Sequence, residues 1–239
     1  MYQLGHTRSA HKSDHLLHTP DTFVRAPLPG MRRATAIVHV GAAAGALFTQ
    51  YTAEFEAGGE LETTPLQRFL YVLEGTVSVD GDALEPGGFV YLPPAHPGHI
   101  VAPDRARAAL IEKPYEPLPG RDTPGVLAGR EANAAASPLN GDPWLTVRSL
   151  IPDDPAFDFR VSTMTYQPGA GLPMVEVHVM EHGLLMLEGG GIYRLGDSWY
   201  PVAAGDFIWM APYCPQWFGA IGKVPAKYLI YKDWDRHPL

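Results

Sequence analysis

FLYVLEG (Phe69–Gly75) and GLLMLEG (Gly183–Gly189) are one motif written twice, and their repetition decides the fold. Downstream, LEPGGFVYLPP (Leu84–Pro94) answers to VAAGDFIWMAP (Val202–Pro212). The first pair is offset by 114 residues (Gly75 to Gly189) and the second by 118 (Gly88 to Asp206), so order and spacing are kept. In a chain of 239 residues such a period means two copies of one unit, with a slightly longer hairpin in the second.

The unit reads as β. Leu47–Phe55 (LFTQYTAEF) and Phe157–Tyr166 (FDFRVSTMTY) alternate and are rich in β-branched and aromatic residues. Gly75–Asp82 (GTVSVDGD) is a strand running into an Asp-Gly turn. No segment of helical length carries a 3.6-residue period. The 25 Gly and 24 Pro fall between apolar runs, where they punctuate turns. The expectation is an all-β protein of two small jelly-roll barrels in tandem. Glu116–Trp144, rich in Pro, Gly and small residues, reads as the joint, with room for a short helical piece in its Ala-rich middle. The expected division is 1–120 for the first barrel, 121–143 for the linker and 144–239 for the second.

Composition sets outer limits. The formal net charge of −8, with no basic stripe, argues against a nucleic-acid partner. The single cysteine, Cys214, excludes an intrachain disulfide framework, and a reducing compartment is the default. The first twenty residues do not read as a signal peptide. The mild apolar stretch from Val38 to Phe48 is too short and too interrupted to span a bilayer. These features fit a cytoplasmic protein with no membrane partner.

The strongest chemical signal is EVHVMEH, Glu176 to His182. Glu176 and His178 are two apart and share a face on a strand. His182 has the same parity and falls on the same face if the strand continues or bends slightly. A lone histidine on a strand is ordinarily structural; two with a glutamate of one parity inside a β-repeat are seldom accidental. Gln216, after the Pro212 turn, supplies a fourth donor. Carboxylate, imidazole and amide oxygen suit Mn²⁺, Fe²⁺ or Zn²⁺. The first copy is a built-in control. The offset maps Glu176 onto Glu62, His178 onto Thr64 and His182 onto Arg68, and Gln216 falls near Gly98. A guanidinium where an imidazole would bind opposes a cation, so the first barrel is expected to be metal-free and structural.

With these residues in hand, the duplicated barrel resembles the bicupins. The order of its ligands resembles the (S)-ureidoglycine aminohydrolase family, manganese-dependent bicupins of purine and allantoin breakdown. The likeness runs through HTPDTFVRAPLPGM (His18–Met31), the two motif pairs and YLIYKDWDR (Tyr228–Arg236). It implies Mn²⁺ on Glu176, His178, His182 and Gln216, and substrate contacts from Tyr228 and Lys232. It also implies a small-molecule substrate, hydrolysis of (S)-ureidoglycine to (S)-ureidoglycolate and ammonia, and a homo-oligomer of at least two chains. Independently of the family, Tyr228, Ile230 and Lys232 share one strand face. An inward Lys232 would want an anionic partner, such as a substrate carboxylate; the plain alternative is a surface lysine near the C-terminus.

Other readings remain in play. A dioxygenase or isomerase on the same metal barrel would depend on metal identity and oxygen. A non-enzymatic metabolite-binding bicupin is a further class, but no helix-turn-helix accompanies the barrels. No general base is identifiable; Glu181 has the wrong parity. His6, His11, His15 and His18 read as a packing or mobile segment rather than a metal-binding tail, and Cys214 reads as a small packing residue. Trp217, with outward parity next to Gln216, suits an interface.

Overall fold

The computed structural model describes residues 5–236, and its regular structure is strand apart from three single-turn 3₁₀ segments. Two compact units form. One contains residues 24–135 and 150–158; the other contains residues 5–23, 136–149 and 159–236. The expected cuts at 120 and 144 were colinear, and this division is not. The first strands of the chain pair with the last barrel, and Asp158 is buried against Lys113 and Gln67 of the first (3.1 and 2.6 Å).

In the unit around 24–135, the sheet runs Leu127–Arg130, Gly88–Leu92, Gln67–Glu74, Ala106–Lys113, Thr49–Leu61, Ile100–Ala102, Val77–Val79 and Asp82–Leu84. Met31–Val40 also pairs with Thr49–Leu61, and the pairings are antiparallel. Tyr51, Ala53 and Phe55 alternate into a core shared with Leu70, Val72, Leu110 and Ile100. The Asp80-Gly81 signal is a two-residue hairpin turn, with φ of 53° and 94°, joining Val77–Val79 to Asp82–Leu84.

The second unit repeats the plan. One sheet orders Ala10–His11, His15–His18, Phe207–Met210, His182–Glu188, Ala226–Lys232, Arg160–Tyr166, Asp142–Ser149 and Ala136–Leu139. A three-stranded sheet of Ser198–Ala203, Gly190–Leu195 and Gln216–Ala220 closes over it. One core joins the two: Tyr166 meets Phe218 edge-on at 4.9 Å, and Phe218 lies 5.8 Å from Tyr228. The longer second hairpin is here too, with six-residue strands where the first copy has three.

The glycine ending each motif explains why the motif recurs. Gly75 and Gly189 have φ of +71° and +63°. A Cβ at either would stand 2.3 Å from Arg105 O or 2.4 Å from Pro225 O. Each hairpin therefore leaves its strand through a left-handed residue pressed against a neighbouring backbone, where only glycine fits.

The joint holds no α-helix. Leu127–Arg130 and Ala136–Leu139 are short strands flanking a 3₁₀ turn, Glu131–Asn133. Leu127–Arg130 covers the edge of Gly88–Leu92, and His15–His18 does the same for Phe207–Met210. Covering such edges removes sites for pairing with other chains.

Candidate metal centre

The stretch expected to be one strand from Glu176 to His182 is mostly a loop. It bends at Val179 and Met180, and strand begins only at His182. The loop is anchored instead by single contacts. Glu176 and Gln216 exchange backbone hydrogen bonds of 2.8 Å in both directions, and Tyr213 N donates to His178 O at 2.7 Å. The loop is held beside Gln216 by these contacts, not by continued strand parity.

The side chains nevertheless converge in pairs. His178 Nε2 lies 3.1 Å from Glu176 Oε2, and the His178 and His182 rings are 4.9 Å apart. Glu176 and His178 are about a quarter exposed, at 24% and 26%, while His182 is buried, so donors line an opening that deepens inward. His182 Nδ1 lies 3.1 Å from Met180 O. A carbonyl only accepts, so Nδ1 carries the hydrogen and Nε2 the lone pair. That Nε2 is buried with no hydrogen-bond partner. An unpaired buried acceptor is costly, and a backbone-oriented imidazole with a bare Nε2 is how histidine is prepared for a metal. The buried Gln216 has its Oε1 fixed by Tyr193 Oη at 3.0 Å, which holds the oxygen in place with a lone pair to spare. Carboxylate, bare imidazole and oriented amide oxygen fit a divalent cation.

Charge around the opening is consistent with this. The His178 hydrogen bond holds the Glu176 carboxyl below its ordinary range, against the opposing effect of burial, and Lys232 adds to the lowering. Burial pushes the His182 imidazole well down, with Lys232 and His178 adding to it, so it stays neutral. Burial also lowers Lys232, and Glu176 partly restores it. Lys232 is the register partner of His182 on the adjacent strand, and its Nζ sits 5.6 Å from the Trp234 ring centroid. Tyr228 is buried two turns of alternation away, its hydroxyl 2.7 Å from Tyr166 Oη and 3.3 Å from Met164 Sδ. Burial raises the Tyr166, Tyr193 and Tyr228 hydroxyls, which keeps all three as donors.

Glu181 turns from the opening, and its buried carboxylate accepts Trp209 Nε1 at 2.9 Å. Trp217 donates to Leu172 O at 2.7 Å and stacks edge-on with Trp199. In the first copy, Arg68 stands where His182 does and pairs with Glu112 at 2.6 Å. The N-terminal histidines divide: His6 and His11 are exposed, whereas His15 is buried beside Asp14 and Cys214, whose ligand atoms all lie within 4.8 Å of one another. The sequence reading missed Tyr193 and Asp14. Alternation in GGIYRL placed Tyr193 inward, but nothing local pairs it with Gln216.

Antiparallel sheets around one core, with donors at the mouth, make the second barrel a cupin; the Cupin domain family model matches residues 162–231. The chain belongs to the (S)-ureidoglycine aminohydrolase family. It is 39% identical over 242 residues to the (S)-ureidoglycine aminohydrolase of Arabidopsis thaliana, covering 98% of this chain and 80% of that protein. The enzyme of the same name from Escherichia coli strain K12 is 29% identical, covering 92% and 88%. Among solved structures, a Pseudomonas aeruginosa protein named for glyoxylate induction superposes with a TM-score of 0.90 at 26% identity, covering 100% of this chain and 95% of the other.

Proposed function

We propose that this chain hydrolyses (S)-ureidoglycine to (S)-ureidoglycolate and ammonia at the mouth of its second barrel. Glu176, His178, His182 and Gln216 would hold one Mn²⁺ there. The observation that carries the reading is the buried, unpartnered Nε2 of His182 beside the Glu176–His178 pair. The names of the relatives supply the substrate.

A bound divalent ion would supply Lewis-acid polarisation of the substrate's amine and carboxylate. The chain's own groups do the rest. Lys232, half-buried with its Nζ over the Trp234 ring, would gain a counter-ion when the substrate carboxylate arrives. Tyr228, kept protonated by burial, donates to a ureido or carboxylate oxygen. Tyr193 fixes Gln216. Enclosure of the bound substrate would limit bulk water and so suppress spontaneous loss of ammonia or urea. The same reading carries a homo-oligomer, resting on the family, and a cytoplasmic setting, for which the single cysteine makes a reducing compartment the default. Among the described residues no helix is long and apolar enough to cross a membrane.

The test is ammonia release and product chirality from manganese-loaded protein, with ureidoglycine generated in situ from allantoate by an amidohydrolase. Wild type should release ammonia faster than spontaneous decay and accumulate the S product, and His178→Ala should not. Release no faster than decay removes the substrate assignment.

A further inference from the structure

We infer that Asp14, His15 and Cys214 form a second metal site, for a borderline thiophilic ion such as Zn²⁺, which clasps the N-terminal strand to the second barrel. Three donor types converge with their ligand atoms within 4.8 Å of one another, and His15 and Cys214 are buried. Thiolate, imidazole and carboxylate are the zinc set, unlike the all-nitrogen-and-oxygen donors at the barrel mouth.

Backbone contacts hold the three segments ready. Ala211 N donates to Asp14 O at 2.9 Å, Gly196 N to Pro215 O at 2.8 Å, and Lys12 N to His15 O at 2.8 Å. Gly196 leaves the room: a Cβ there would stand 2.7 Å from Asp14 Oδ2. Tyr200 Oη, 2.8 Å from His15 Nε2, is the outer partner that a metal-bound imidazole requires. His15 Nδ1 lies 2.8 Å from Asp14 Oδ1; with an ion bound, Nε2–H would donate to Tyr200 and Nδ1 would turn its lone pair on the metal beside that carboxylate. Binding would open that contact to roughly 3.3 Å, the separation of two ligands about 2.0 Å from a tetrahedral zinc. The Cys214 proton leaves to solvent as the S–Zn bond forms. Without metal, Nδ1–H bonds Asp14 and Tyr200 donates to Nε2, so the cluster survives as a hydrogen-bonded trio. Cys214 precedes Gln216 by two residues, so the clasp also steadies the loop carrying that donor.

Cobalt tests this, because a thiolate ligand gives Co²⁺ a near-ultraviolet charge-transfer absorption that nitrogen and oxygen donors do not. Full-length protein would be stripped, loaded with Co²⁺ and compared with Cys214→Ser, Asp14→Asn and His178→Ala. The wild type and His178→Ala should show the thiolate band, and Cys214→Ser should lack it. Asp14→Asn, which keeps the thiol, should need at least tenfold more cobalt to develop it. Zinc dialysis should leave one equivalent fewer on Cys214→Ser than on wild type. A wild-type protein without the band, or Cys214→Ser with undiminished zinc, overturns the inference. A persistent band in an inactive His178→Ala separates this site from the proposed reaction.

Discussion

His182 and Lys232 face each other as register partners across adjacent antiparallel strands, and Arg68 and Glu112 occupy the same pairing in the first copy. In the first barrel the pair satisfies itself as a 2.6 Å salt bridge. In the second it is an imidazole and an ammonium, and His182 Nε2 has no hydrogen-bond partner. One register pairing is thus closed by a salt bridge in one copy and not in the other, which is where the proposed function puts a metal ion and a substrate carboxylate.

Lys232→Met follows from that contrast. It should lower kcat/KM by about 10–100-fold, the worth of a charged hydrogen bond of roughly 1.5–3 kcal/mol. The same change should leave the fold equally or more stable, because a half-buried ammonium with no hydrogen-bonded counter-ion is replaced by an apolar chain. Parallel kinetics and denaturant titration check it; a loss of both activity and stability contradicts it.

Tyr193→Phe should leave the barrel packed while freeing Gln216 Oε1. Manganese affinity should fall about 10–100-fold, the usual consequence of losing a partner that orients a ligand. Calorimetric titration measures this, and an unchanged affinity removes Gln216 from the metal set.

Acid should destabilise the metal-free protein through imidazoles that are buried or half-buried. His15, His18 and His182 are all lowered by burial. Unfolded histidine titrates near 6.5, so below about that pH the unfolded chain binds more protons than the folded one. Stability is full above that value and is lost as pH falls toward the depressed folded values. Tm of stripped protein should therefore drop between pH 7.5 and 5.5, and a rise on acidification contradicts the assignment.

Leu17→Ala tests the N-terminal strand. Leu17 is wholly buried in the core of the second unit, so the change should cost about 2–5 kcal/mol. Gly75→Ala and Gly189→Ala should each cost more than about 1 kcal/mol, since φ is positive and backbone blocks the Cβ. Chemical denaturation reads both effects.

The repeat was legible because Gly75 and Gly189 answer a backbone demand that only one residue type meets. The Asp80-Gly81 turn was legible for the same reason. His15–His18 was not: its partner Phe207–Met210 lies about 190 residues away, and HLLH has no alternation to announce a strand. The proposed metal donors were read from a spacing that assumed a continuous strand, whereas the stretch is mostly loop and strand begins only at His182. Loop 173–181 is shaped by its bridge to Gln216, a long-range contact that spacing alone does not encode.

The most direct test of the central claim is anomalous diffraction at the manganese edge from crystals of the manganese-loaded protein. One peak within coordination distance of His182 Nε2, with Glu176, His178 and Gln216 around it, is the predicted result. Full loading with no peak there, or manganese only beside Cys214, would contradict the account.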